Sequence, residues 1–297
     1  MRTDTIETAA GSSLEIIIEG AGDDVLIYHH GTPAAGPVEA ELLEAATTHN
    51  FTIVQVVRPG YGASTRQMQR SVADVVPLVQ AAISHVTGAH DNSFVTLGWS
   101  GGGPHALATA ALMPSCASSV SFAGVGPFDA QGLDFLAGMG EDNVVEFGAA
   151  VTGPEALQEF MNAVMPGMQE VTGAEVTAEM ASLLPAADME FLAGGYADAF
   201  AATLRYSLAQ GPWGWADDDI AFVNPWGFDL GSIRTPAHIW QGGDDLMVPF
   251  AHGRWLAENV PTAISHLIDG EGHLSLARRF SEVVAGLRAD FDSARRG

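Results

Sequence analysis

The stretch Phe94-Val95-Thr96-Leu97-Gly98-Trp99-Ser100-Gly101-Gly102-Gly103-Pro104 decides the fold. Phe94 to Leu97 is an apolar run of strand length, and Pro104 to Met113 reads as a helix. Pro104 is tolerated there because an N–H in the first turn has no intrahelical acceptor to lose. Ser100 stands between the two, flanked by glycines. A nucleophile elbow needs this context: a serine on a tight strand-to-helix turn, neighbours small enough for a strained backbone, and a hydroxyl lifted clear of the sheet beside the positive end of a helix. A Gly-rich strand–helix turn without chemistry shares the pattern, so the surroundings must decide.

Outward from that turn, the first 125 residues alternate strand and helix patterns. Ser13 to Glu19, Val25 to His29, Phe51 to Val57 and Val120 to Ala123 read as strands; Val38 to His49 and Val72 to Val86 read as helices. Strands joined by helices of this length imply crossover connections and a parallel sheet covered on both faces. From about Pro127 to Gly227 no strand pattern appears. That segment is rich in Ala, Met, Glu and Phe and is punctuated at Gly153-Pro154, Pro166-Gly167 and Gly211-Pro212, which predicts several short helices. Alternation then resumes, with strands at Ala237 to Trp240 and Ile264 to Ile268 and helices at Pro249 to Asn259 and Leu274 to Phe291. The expected organisation is a discontinuous α/β core, residues 1–126 and 228–297, with a helical cap at 127–227.

A serine hydroxyl is a weak nucleophile at neutral pH and needs a base, and the base needs an orienting carboxylate. Both occur in order after the serine. Gly242-Gly243-Asp244-Asp245-Leu246-Met247-Val248-Pro249 follows one strand, and Gly270-Glu271-Gly272-His273 follows the last. Each lies at the carboxyl end of a strand, where open parallel sheets bind ligands. Acyl transfer also needs donors aimed at the developing oxyanion. The Gly101 N–H is one candidate, and the Thr32 N–H in His29-His30-Gly31-Thr32-Pro33 is the other. His30 reads as a brace for that loop, since His273 already fits the base.

Taken together, His30-Gly31-Thr32-Pro33, Arg58-Pro59-Gly60-Tyr61-Gly62-Ala63-Ser64, Gly98-Trp99-Ser100-Gly101-Gly102, Asp245-Leu246-Met247-Val248-Pro249 and Gly272-His273 resemble a serine-dependent α/β-hydrolase with a helical cap. The likeness spans about two thirds of the chain. It implies the α/β-hydrolase fold, Ser100 as nucleophile, Asp245 as acid, His273 as base, and Thr32 and Gly101 in the oxyanion hole. Asp245 stands four residues before Pro249, the Asp-x-x-Val-Pro spacing of the resembled family, which selects it over Asp244. Departures narrow the likeness. The elbow carries Ser rather than Asp, unlike the epoxide hydrolase and haloalkane dehalogenase branches. The His30 loop lacks both the His-Gly-Gly-Pro-Gly of proline iminopeptidases and the extra glycines of hormone-sensitive-lipase-type esterases.

Composition bounds the partners. The 297 residues are 47% hydrophobic and carry 36 acidic against 12 basic side chains, a formal charge of −24, and every basic residue is Arg. Phosphates would be repelled, so neither nucleic acid nor an anionic membrane surface is expected as a partner. The acidic, Lys-free composition reads either as salt adaptation or as genome bias. No window reaches about 18 consecutive apolar residues, so no transmembrane helix is expected. The start Met1-Arg2-Thr3-Asp4 lacks the apolar run of a secretory signal, and cytoplasmic localisation is the expectation. Cys116 is the lone cysteine, excludes an intrachain disulfide and reads as structural. No metal-ligand spacing and no Lys-bearing phosphate loop are present, so no metal or cofactor is expected.

The expected activity is that of a carboxylesterase-type hydrolase cleaving a small ester, thioester, lactone or amide through an acyl-enzyme. The same triad also serves C–C bond hydrolysis or aminopeptidase chemistry, and a ligand-binding receptor of low turnover has the same fold. The Met, Phe and Tyr residues that recur along the insertion from Phe135 to Tyr206 read mostly as packing of the cap helices, with a minority facing an apolar pocket and Trp213, Trp215 and Trp226 as candidate walls. The expected partner is therefore a small-molecule substrate of apolar character; the oligomeric state is open.

Overall fold

The computed structural model describes residues 1–89 and 92–296. Among them eight strands form one sheet: β1 (Arg2–Glu7), β2 (Ser13–Glu19), β3 (Asp24–His29), β4 (Phe51–Val56), β5 (Phe94–Trp99), β6 (Cys116–Phe122), β7 (Ala237–Gly242) and β8 (Ala263–Ile268). Their spatial order is β1-β2-β4-β3-β5-β6-β7-β8. The β1–β2 and β2–β4 pairs are antiparallel and every other pair is parallel. This is the parallel α/β sheet that the alternation implies and the α/β-hydrolase architecture that the resemblance implies.

The chain runs outward from β3 to β4 on one side and returns to β5 on the other. The carboxyl ends of β3 and β5 therefore flank the topological switch point, the place where such sheets open a crevice. His29 and Gly98 are register partners there, so the loop after β3 and the turn after β5 leave the sheet side by side.

Pleating sorts the core. Leu26, Tyr28, Val95, Leu97 and Trp99 project to the face covered by α1 (Ala40–Thr48) and α11 (Phe280–Ala294). Val25, Ile27, Val54, Val56 and Phe94 project to the opposite face, against α2 (Val76–Thr87), α3 (Gly102–Leu112) and α10 (Phe250–Asn259). Both faces are dry, which is why these strands read as unbroken apolar runs. Between β6 and β7 the described chain is helical: α4 (Glu141–Thr152), α5 (Pro154–Met168), α6 (Gly173–Glu179), α7 (Ala186–Phe191), α8 (Ala197–Ser207) and α9 (Trp213–Val223).

Four elements differ from the sequence reading, one being the helix expected over Val72 to Val86, which opens as a 3₁₀ turn at Val72–Val75 before α2. β1 has no sequence signal, because it is an exposed edge strand, Arg-Thr-Asp-Thr-Ile-Glu, with little to bury. β6 begins at Cys116, four residues earlier than its apolar run; Ser118, Ser119 and Ser121 are all buried, and their polarity hides the strand. The closing helix is broken: Ser275–Arg279 forms a 3₁₀ turn before α11 starts at Phe280.

Candidate active site

Ser100 follows β5 directly and takes φ +54°, a left-handed conformation that a serine rarely adopts. Two bonds hold it: the Ser100 N–H donates to Phe122 O at 2.8 Å, and Gly103 N–H donates to Ser100 O at 2.8 Å. The flanking glycines are required by contact. A Cβ at Gly98 would land on the Gly102 carbonyl, and one at Gly101 would meet Thr32 Oγ1 and come within 2.9 Å of the Phe222 ring. Gly101 is the N-cap of α3, so its N–H lies among those a helix start leaves without an intrahelical acceptor.

Asp245 stands in the turn after β7 and is buried. Its Oδ1 accepts the backbone N–H groups of Met247 (2.9 Å) and Val248 (2.8 Å), and its Oδ2 accepts Gln241 Nε2 (2.9 Å). That oxygen also faces His273 Nδ1 at 2.8 Å, so the imidazole donates from Nδ1 and leaves Nε2 as its basic nitrogen. Burial alone would lower the His273 pKa. The Asp245 carboxylate outweighs it, with Asp188 adding to the same side, and the imidazole stands above its ordinary value. The neighbouring Asp244 is exposed, with its N–H spent on Glu271 O at 2.9 Å.

The His273 loop is held from the inserted segment. Asp188, on α7 and fully buried, accepts the N–H groups of His273 (2.9 Å), Leu274 (3.0 Å) and Ser275 (2.8 Å). These donors open the 3₁₀ turn, which explains the break before α11. The Trp99 ring lies 6.3 Å from the imidazole and packs edge-on against Phe122 and Phe280.

On the β3 side, His30 is buried and neutral. Its Nδ1 donates to Gly31 O at 2.7 Å, and its Nε2 accepts the Arg58 N–H at 3.1 Å. Burial, aided by Arg58, holds its pKa well below the ordinary range. Arg58 is also fully buried and donates to His30 O (2.6 Å), Gly31 O (3.0 Å) and Thr32 Oγ1 (3.0 Å). It pairs with Asp218 on α9 at 2.6 Å, and Asp218 further pairs with Arg70 at 2.6 Å and accepts from Thr32 Oγ1 (2.7 Å) and Tyr61 OH (2.8 Å). Burial works against the Asp218 charge, but the two guanidiniums hold its carboxyl well below the usual range. The Arg58-Pro59-Gly60-Tyr61 motif is thus a socket that fixes the Thr32 loop and α9 together.

Ser100, His273, Thr32 and Gly101 line one cavity of about 360 Å³, and Asp245 stands behind the imidazole. The volume suits a small organic molecule. Phe147, Phe160, Met168, Tyr196, Phe200 and Trp215 supply much of its apolar wall. Of the three candidate tryptophans only Trp215 reaches it: Trp213 is partly exposed and stacks on Arg66, and Trp226 is buried against Phe228. The cavity is also lined by Glu39, Asp142, Glu146 and Asp219, which the apolar pattern of the insertion does not reveal. For Asp219 the visible signal is the run Asp217-Asp218-Asp219 inside an otherwise apolar helix. Glu39 receives Tyr28 OH (3.3 Å) and Tyr196 OH (3.4 Å), and burial pushes its pKa up to about 7.

Residues 20–286 match the family described as the Alpha/beta hydrolase family. The chain belongs to that family. Among solved structures, this alpha/beta hydrolase is similar to a thermophilic esterase from Thermogutta terrifontis (TM-score 0.68, 16% identity, covering 100% of this chain and 99% of that one). It is similar to a bromoperoxidase from Bacillus anthracis (0.69, 16%, 96% and 99%) and to an enol-lactonase from Burkholderia xenovorans LB400 (0.63, 17%, 98% and 100%). Identities this low establish the shared fold alone. No curated protein matches this hydrolase in sequence. Among the described residues no His, Cys, Asp and Glu group is placed to hold a metal, and no helix is long and apolar enough to cross a membrane. Cys116 is buried, and burial pushes its thiol up to about 12, so it has no thiolate character at neutral pH.

Proposed function

We propose that this protein is a serine hydrolase that cleaves a small carboxylic ester, thioester, lactone or amide through an acyl-enzyme, with residues 127–227 acting as the cap. The observation that carries this reading is the His273 Nδ1–Asp245 Oδ2 contact of 2.8 Å, behind a cavity wall that His273 shares with a left-handed Ser100. Ser100 Oγ attacks the carbonyl carbon and gives its proton to His273 Nε2. The tetrahedral oxyanion is met by the N–H groups of Gly101 and Thr32. Collapse expels the leaving group, which takes the proton back from His273, and leaves Ser100 acylated. Water then attacks the acyl carbon, with His273 again the base, and releases the acid and free Ser100. Asp245 keeps the imidazole in the Nδ1–H tautomer and stabilises its cation.

The test is covalent. A fluorophosphonate should modify Ser100 stoichiometrically and abolish turnover of a chromogenic ester, and Ser100→Ala should neither label nor turn over. Labelling at another serine, with Ser100→Ala still active, would refute the assignment.

A further inference from the structure

One wall of the cavity holds two acids with no basic partner. Asp219 on α9 is fully buried and lines the cavity, yet among the described residues no N–H and no Ser, Thr or Tyr hydroxyl reaches either of its carboxylate oxygens. The group that faces it is another carboxyl, Glu146 on α4, whose Oε1 accepts Trp215 Nε1 at 2.7 Å. The nearby guanidiniums of Arg58 and Arg70 are taken by Asp218. Burial raises the pKa of both acids, and Glu146 raises that of Asp219 further. A buried acceptor without a donor is costly, and proteins rarely keep one with no role. Phe160, Trp215 and Phe222 line the same cavity, and aromatic rings attract cations.

We propose that Glu146 and Asp219 form an ammonium subsite, and that the substrate carries a protonated primary or secondary amine whose N–H groups satisfy the Asp219 and Glu146 oxygens while its carbonyl lies at Ser100. The substrate half of this statement rests on the serine-hydrolase reading; the binding half does not. The spacing follows from α9. Phe222 abuts Gly101, and Asp219 lies three residues earlier on the helix, about 5 Å along its axis. The amine is therefore separated from the carbonyl by a short chain. A quaternary ammonium has no N–H to offer and satisfies the site less well than a primary one.

The test separates binding from turnover. n-Hexylammonium and n-hexanol are titrated calorimetrically into the wild-type protein, into Asp219→Asn and into Glu146→Gln. The expected result is that the wild type binds hexylammonium at least about tenfold more tightly than hexanol, as befits charge-assisted hydrogen bonds out of water, and that either substitution removes most of that preference. Equal affinities in the wild type, or a preference that survives in both variants, overturns the subsite; the wild-type comparison decides even if a variant fails to fold. In parallel, 4-nitrophenyl 6-aminohexanoate is compared with 4-nitrophenyl heptanoate, with the amino ester expected to have the higher kcat/KM. Hydrolysis of both esters at equal kcat/KM, with no ammonium preference in binding, removes the subsite and leaves the hydrolase. Hexylammonium binding with no ester turnover and no labelling of Ser100 removes the hydrolase reading and leaves the subsite.

Discussion

The Asp188 carboxylate accepts the His273 N–H at 2.9 Å, so a residue of the inserted helices fixes the loop that carries the imidazole of the core. Its other oxygen takes the next two N–H groups, and the three bonds fix the end of the loop that enters the 3₁₀ turn at Ser275.

Asp188→Ala should act as the loss of a positioning group. Three buried N–H donors lose their acceptor, at a cost of about 1–3 kcal/mol each if none is rescued by water. The melting temperature should fall by several degrees, and kcat should fall more than KM rises. Because Asp188 also favours the charged imidazole, the acid limb of kcat/KM should move to lower pH. Asp188→Asn, which keeps one acceptor oxygen, should recover part of the thermal loss. A fall in melting temperature with an unmoved pH profile would limit Asp188 to a structural role.

The pH profile tests the Asp245–His273 pair. His273 must be neutral to accept the serine proton. Its pKa in the folded protein is raised, so activity should be lost as pH falls through an inflection above the ordinary value of 6.5. The stability linkage has the opposite sign: the pair's favourable contribution is fully present below the unfolded value and fades as pH rises through the folded one. Asp245→Asn should lower kcat on the order of 10⁴-fold by favouring the wrong tautomer, whereas Asp244→Asn should change it by less than about tenfold. Measuring both at a pH where His273 is neutral separates tautomer from titration.

Gly101→Ala places a methyl group against Thr32 Oγ1 and the Phe222 ring. The proposed oxyanion donors are the N–H groups of Gly101 itself and of Thr32, so kcat should drop by about 10²-fold or more. KM for a small ester should change little, and fluorophosphonate labelling should slow in parallel with kcat. Normal labelling at normal speed would remove Gly101 from the oxyanion site.

Arg58→Met keeps length but removes the guanidinium from a fully buried socket. Asp218 would retain Arg70 and lose its contacts at 2.6 and 3.1 Å with Arg58. Breaking one side of a buried pair costs about 3–5 kcal/mol, which denaturant unfolding should read directly. Thr32 would lose a neighbour as well, so activity should fall even in molecules that remain folded.

Much of this was legible before the structure, and the limits have physical causes. The central strands β3, β4 and β5 announced themselves because both faces of the sheet are buried there and most of their residues are apolar. The elbow was visible because a serine at φ +54° needs glycines on either side. β1 escaped because an exposed edge strand needs no apolar pattern, and the start of β6 escaped because three serines occupy buried positions. Asp188, Asp218, Glu146 and Asp219 escaped for a shared reason. Each is meaningful only through a partner far along the chain, 157 to 160 residues away where Asp218 meets Tyr61 and Arg58, and no local spacing encodes such a pairing. The apolar bias of the insertion described most of the cavity wall but not the acids set into it.

Helix α9 lies inside the stretch 127–227 that strand counting assigns to the insertion, yet its attachments point the other way. Asp217 is clasped by Arg66 and Asp218 by Arg58 and Arg70, while a Cβ at Gly214 would strike the Tyr61 ring. For anyone exchanging this segment among relatives to alter selectivity, a seam ahead of Trp213 keeps these ion pairs, which one at 227 does not. A chimera cut at 227 would strand three arginines in the recipient without their carboxylates. One cut near Gly211 would carry the foreign helices on an intact foundation.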